Sequence, residues 1–200
     1  MPASAFELAL AEHLALFSAL SGPAGLQSAV ERTGHALADC LRRGGKIMLC
    51  GNGGSAADSQ HIAAELAGRF VHDRRPLAGL ALTTDTSALT AIANDYAFDA
   101  VFERQVRALG RPGDALIGIS TSGNSANVRL AVQAAREHGI TAIGLLGRDG
   151  GALRHECDDA VVVPSPTTAR IQEAHIFIGH LWCTLIEQHL GLAAAPDPTA

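Results

Sequence analysis

Ile47-Met48-Leu49-Cys50-Gly51-Asn52-Gly53-Gly54-Ser55-Ala56-Ala57 runs from a short apolar stretch through a glycine-rich turn into an alanine-rich segment. Ala115-Leu116-Ile117-Gly118-Ile119-Ser120-Thr121-Ser122-Gly123-Asn124-Ser125 repeats the plan, with hydroxyls replacing most of the glycines. Short continuous apolar runs of this kind read as strands buried on both faces, and such strands belong to parallel sheets covered by helices. A polar turn between strand and helix is also a cradle for an anion. Backbone N–H groups and hydroxyls converge there, and the following helix adds about half a positive charge at its N-terminus. The two turns point to a phosphorylated small molecule.

Reading outward from these turns gives the rest of the architecture. Ser4 with Glu7 forms a capping box ahead of Phe6, Leu8, Leu10, Leu14, Phe17 and Leu20, so a first helix is expected, ended by Gly22-Pro23. A second helix presents Leu26, Val30, Leu37, Ala38 and Leu41 on one face and stops at Gly44-Gly45 after Arg42-Arg43. Strands are then expected at Ile47 to Cys50, Leu77 to Leu82, Ala115 to Ser120, Thr141 to Leu146 and Ala160 to Val163. Helices are expected from Ser55, Thr86 and Phe98, from Ser125 to His138, and from about Thr168 to Leu190. The pattern predicts an α/β fold: a five-stranded parallel sheet flanked by helices, with two N-terminal helices ahead of it. Residues 1–192 read as a single domain, and 193–200, with Pro196 and Pro198, as a frayed tail. In such sheets ligands sit beyond the carboxyl ends of the strands, where both turns fall.

Composition bounds the function. At 200 residues and 48% hydrophobic the chain supports one ordinary core, burying roughly 70% of its unfolded surface. A net charge of −5, with no basic cluster larger than Leu41-Arg42-Arg43 or Asp73-Arg74-Arg75, argues against nucleic acid as a partner. Cys40, Cys50, Cys157 and Cys183 lack metal or disulfide spacing and read as reduced, mostly buried thiols. No apolar run reaches roughly 18 residues, and Glu7 and Glu12 stand where a signal peptide would be basic. The expectation is a cytoplasmic protein with no membrane partner.

Either turn alone is explained by an ordinary strand-to-helix connection with Ser55 or Ser125 as helix cap. The density of hydroxyls at Ser120, Thr121, Ser122 and Ser125 exceeds what a cap requires. With no Gly-Lys-Ser/Thr and no G-x-G-x-x-G spacing, a sugar phosphate fits better than a nucleotide. His61 and Glu65 stand four apart, about 40° from one another around a helix. They fit a divalent ion or a proton transfer, and equally a surface pair. Gln172, His175 and His180 lie on the final helix among Ile176, Phe177, Ile178, Leu181, Trp182, Leu185 and Ile186, so that helix is buried or forms an interface. Gln172 and His180 are about 12 Å apart along the axis, whereas zinc bonds are about 2 Å long. One ion held by this helix would therefore draw on the same helix of a neighbouring chain.

With these residues assembled, the chain resembles the sugar isomerase (SIS) superfamily and, within it, the bacterial phosphoheptose isomerases. The likeness runs over nearly the whole chain. It is carried by Cys50-Gly51-Asn52-Gly53-Gly54-Ser55, His61-x-x-x-Glu65, Asn94-Asp95-Tyr96, Ile119-Ser120-Thr121-Ser122-Gly123-Asn124-Ser125 and Arg170-Ile171-Gln172-Glu173-x-His175-x-x-x-x-His180. The resemblance implies a SIS-type, flavodoxin-like sandwich, a homotetramer with active sites between subunits, and conversion of sedoheptulose 7-phosphate to glycero-manno-heptose 7-phosphate. That reaction opens the route to nucleotide-activated heptose for surface glycans such as lipopolysaccharide. By motif, His61, Glu65, Gln172 and His180 match a zinc set with one Zn2+ per subunit, and Glu65 and His180 an acid/base pair. Asn52, Gly53, Gly54, Ser55, Glu65, Asn94, Asp95, Ser120, Thr121, Ser122, Ser125 and Gln172 match substrate contacts. Ala169 departs from relatives that carry aspartate there, and His175 is read as packing behind the site. Two alternatives remain open: a non-enzymatic relative that binds the replication initiator, and an isomerase of another ketose phosphate.

Overall fold

The computed structural model describes residues 3–21 and 26–192. The expected helix stop at Gly22-Pro23 and the tail 193–200 lie outside the described residues. Helix α1 (Ala5–Leu20) opens on the capping box: Ser4 Oγ accepts from Glu7 N at 3.2 Å and the Glu7 carboxylate accepts from Ser4 N at 2.7 Å. Helix α2 (Leu26–Arg42) follows, and from there strands alternate with helices. The strands are β1 (Ile47–Gly51), β2 (Gly79–Ala81), β3 (Ala115–Ser120), β4 (Thr141–Gly147) and β5 (Asp159–Val163). The remaining helices are α3 (Gly54–Ala67), α4 (Thr86–Asp95), α5 (Glu103–Leu109), α6 (Ala126–Glu137), α7 (Leu153–Glu156) and α8 (Thr168–His189).

The five strands are all parallel in the order β2-β1-β3-β4-β5. The order reverses between β1 and β3, which makes their carboxyl ends the topological switch point. Every residue of β1 and β3 is buried, as continuous apolar runs require. Alternate residues serve two separate cores. Ile47, Leu49, Ile117, Ile119, Ile143 and Leu145 face α2, α3 and α8, whereas Met48, Cys50, Leu116, Ala142 and Leu146 face α5 and α6. Trp182 of α8 closes the first core, donating from its indole N–H to Thr33 Oγ1 of α2 at 3.0 Å.

Local departures from expectation have local causes. The strand expected over Leu77 to Leu82 shortens to Gly79–Ala81, because it lies at the sheet edge and follows Pro76, while Leu77 and Leu82 stay buried beside it. A 3-10 turn, Phe98–Ala100, precedes α5 where one helix from Phe98 was expected. The short α7 was not anticipated; it follows the Gly150-Gly151 turn. No helix among the described residues is long and apolar enough to cross a membrane. All four cysteines are free, and Cys40, Cys50 and Cys183 are buried.

Candidate active site

Both polar turns emerge side by side at the switch point. Gly53 takes φ +57° and caps α3, which starts at Gly54, one residue before the expected Ser55. That left-handed conformation is the reason for glycine there. Asn52 turns its side-chain amide onto Asn127 in the first turn of α6, and the two exchange reciprocal hydrogen bonds of 2.9 and 2.8 Å. Asn127 is buried and was missed from the sequence. Its one signal was polarity beside the apolar stripe of Val128, Ala131 and Val132.

The serine turn is internally braced. Ser120 Oγ lies 2.9 Å from Ser125 Oγ and 3.4 Å from Ser122 Oγ, and it accepts from Gly123 N at 3.1 Å. Ser125 occupies the cap position of α6 but makes no side-chain cap bond. The N–H groups at the helix N-terminus are therefore not closed by its own serine. Gly123, at φ +68°, has no room for a Cβ because the Gly150 backbone presses against it.

Glu65 and His61 on α3 meet His180 on α8. His61 Nε2 is 2.9 Å from His180 Nε2 and 3.4 Å from Glu65 Oε1, and the three ligand atoms all lie within 4.8 Å of one another. Where the two rings hydrogen-bond each other, one nitrogen donates and the other accepts; where both turn lone pairs inward, they face one cation instead. Phe70 stacks on the His180 ring at 5.3 Å between centroids and 25° between planes. Two imidazoles and a carboxylate this close match the donor set of zinc, whose bonds of about 2.0–2.2 Å separate neighbouring ligand atoms by roughly 3.4 Å. The cluster is also open: the His61 side chain is 46% exposed.

Gln172 stands apart from the cluster within one chain. A Cβ on Gly54 would lie 2.9 Å from Gln172 Cδ, so its amide faces the start of α3, two helical turns from His61. Asn94 and Asp95 end α4, exposed, with Asn94 donating to Asp95 at 2.8 Å; among the described residues neither bonds to the serine turn or the histidines. Ala169 is exposed in the first turn of α8. His175 is fully buried with neither ring nitrogen in hydrogen-bonding geometry. Burial pulls its pKa down to about 4, and the nearby Leu146 backbone offsets only part of this. Asp58, one turn before His61, is pushed up to about 6 by burial, against the opposing charge of His61.

A doubly wound parallel sheet with two polar turns at its switch point and two N-terminal helices is the fold of the SIS class. The SIS domain family model matches residues 18–147. The relatives narrow this further, and the chain belongs to the phosphoheptose isomerase family within the SIS domain proteins. It is 60% identical over 150 residues to the phosphoheptose isomerase of Rhodospirillum rubrum, covering 75% of this chain and 80% of the relative. A phosphoheptose isomerase structure from Neisseria gonorrhoeae superposes with a TM-score of 0.84 at 50% identity, covering 90% of this chain and 96% of that one. Another from Francisella tularensis gives 0.88 at 36% identity, with 92% and 96% covered.

Proposed function

We propose that this protein is an aldose–ketose isomerase that converts sedoheptulose 7-phosphate to D-glycero-D-manno-heptose 7-phosphate through an enediol. The meeting of Glu65, His61 and His180, in a fold whose switch point carries a serine-lined helix N-terminus without a side-chain cap, carries the reading. Moving a carbonyl from C2 to C1 takes a proton from one carbon and returns it to the next while negative charge builds on oxygen. Glu65 is the base, and His180 is the acid or relay that serves the oxygens. Ser120, Thr121, Ser122 and Ser125 hold the remote phosphate, so binding energy orients the reacting carbons. Asn52, Gly53, Gly54 and Ser55 line the sugar with backbone and amide groups, and Gln172, placed against Gly54, reaches the same end of α3. Asn94 and Asp95 complete the substrate contacts by motif.

His61, Glu65 and His180 would hold one Zn2+ per subunit, with Gln172 as fourth ligand. Bound there, zinc would stabilise the developing enediolate oxygen as a Lewis acid. Gln172 and His180 are about 12 Å apart along α8, too far for one ion, so a fourth ligand from this position would come from a neighbouring copy, which would make the site an interface. The surface of α1 supports a homotetramer: Phe6, Leu8 and Leu14 are each more than half exposed, flanking an apolar cleft lined by Phe17, Leu20, Val30, Phe177 and Leu181. Such a surface is covered in an oligomer. The single-domain reading is supported by one sheet carrying both helical layers. Free thiols and an acidic charge fit a cytoplasmic enzyme without nucleic-acid or membrane partners, feeding activated heptose to surface glycans such as lipopolysaccharide.

The test is incubation with sedoheptulose 7-phosphate, following aldose formation with and without chelator. Aldose formation that is chelator-sensitive is the expected result. No aldose under either condition would favour a binding protein.

A further inference from the structure

The segment after α3 returns beneath the site, and its Arg74 is almost fully buried, with 2% of its side chain exposed. Its Nε donates to Glu187 Oε1 of α8 at 2.8 Å, and that carboxylate side chain is 3% exposed. Its Nη2 donates to the backbone carbonyl of Glu65 at 2.8 Å, and Nη1 to those of Leu66 at 3.0 Å and Arg75 at 3.1 Å. The carbonyls of Glu65 and Leu66 end α3, where a cation also meets the negative end of the helix dipole. Glu187 is two turns beyond His180 on the same face of α8. One guanidinium thus ties the peptide that bears Glu65 to the stripe that bears His180.

The two helices already touch at the start and middle of α3. Gln172 of α8 faces Gly54, and Gly179 passes against Ile62, where a Cβ would stand 2.6 Å from Ile62 Cδ1. The second of these crossings lies beside His61 and His180. The bridge from Arg74 to Glu187 adds a tie about 12 Å further along α8. It fastens the last turn of α3, at the Glu65 carbonyl itself, to α8.

We propose that Arg74 and Glu187 are positioning residues: their buried pair, with Arg74 on the Glu65 carbonyl, holds the last turn of α3 against α8. That hold sets where Glu65 stands relative to His180. The inference rests on the isomerase reading of this cluster for its kinetic consequence and on geometry alone for its structural one.

The test separates positioning from stability. A buried ion pair is matched in stability by apolar residues of similar volume, but the carbonyls that Arg74 satisfies lose their donor, so Arg74→Met/Glu187→Leu should stay folded with Tm lowered by about 5–10 °C. The variant lacks the carbonyl clamp. Its kcat is expected to fall about 10–100-fold with KM within about threefold, and the ring Hε1 NMR shifts of His61 and His180 to move. Arg74→Lys keeps charge for Glu187 but loses the fork; it should recover part of the kcat. A folded double variant with kcat within about twofold and unmoved ring shifts would overturn the proposal. Should the double variant not fold, parental kcat and ring shifts in Arg74→Lys overturn it equally. If the parent itself makes no aldose, the isomerase reading fails, and the ring shifts still decide the brace.

Discussion

His175 offers a stability prediction whose size follows from its surroundings. It sits fully buried in α8 with both ring nitrogens unpartnered, and burial lowers its pKa from 6.5 to about 4. The folded chain therefore holds it neutral in a range where the unfolded chain protonates it. Between about pH 6.5 and pH 4 the unfolded state binds more protons, so stability contributed at neutral pH is lost as pH falls. With those two values the loss from His175 alone is ~2 kcal/mol between pH 7 and pH 5, and ~3 kcal/mol by pH 4. Asp58 opposes it: a carboxylic acid raised to about 6 favours the folded state as pH falls, though it is only half-buried and its effect is discounted by solvent. The raw pH profile of the protein thus mixes two opposite slopes. Comparing wild type with His175→Leu at each pH cancels Asp58. Urea unfolding at fixed protein concentration should show the wild type losing ~2 kcal/mol more than the variant between pH 7 and pH 5. Parallel pH profiles for the two proteins would refute the reasoning and mean that His175 finds a partner, such as a buried water, that lets it charge.

Three further outcomes bear on the site. Glu65→Gln should lower kcat by about 10²–10⁴-fold, the usual worth of a positioned base, with KM within about threefold; a variant retaining most of its rate would remove Glu65 from that role. Ser125→Ala deletes a hydroxyl that reaches Ser120 instead of capping α6, so KM for the phosphorylated substrate should rise about tenfold, one hydrogen bond's worth, and a kcat loss at constant KM would contradict the anchoring role. Gly123→Ala forces a Cβ onto the Gly150 backbone at φ +68°, and Tm should drop by several degrees, about 1–3 kcal/mol of strain; an unchanged Tm in a thermal melt would show that the turn relaxes freely.

Much of this arrangement is legible in the sequence, for reasons that can be named. The buried strands announce themselves as apolar runs, and both anion turns by glycine or hydroxyl density where a helix begins. The His61 and Glu65 pair follows from helical spacing. The bounds of the edge strand β2 do not, since only three of its residues pair and its flanking leucines are buried for packing rather than for strand structure. Asn127 was hidden because its reason is a partner 75 positions away. Arg74 stands in the sequence only as one member of a small basic cluster, because its acidic partner is 113 positions distant. Pairings of that separation are a property of the packed helices, not of any local pattern.

The two turns that looked alike in sequence divide their work by what each is tied to. Ser120 to Ser125 gathers the Ser122 and Ser125 hydroxyls on Ser120 and leaves the α6 N-terminus without a side-chain cap. Gly51 to Ser55 has no such cluster of hydroxyls; it launches α3, and α3 carries His61 and Glu65. On the proposed reading, a phosphate held by the serine turn aligns with the Glu65 carboxylate only if the two turns keep their relation. The reciprocal amide pair of Asn52 and Asn127 joins the start of α3 to the start of α6. Near the other end of α3, Arg74 makes the corresponding tie to α8. Breaking the first pair with Asn127→Leu should therefore raise KM and lower kcat together, because it shifts the anchor relative to the base, whereas losing a serine changes KM alone. A variant in which only KM moved would mean that the two turns hold their spacing through the sheet and need no amide bridge.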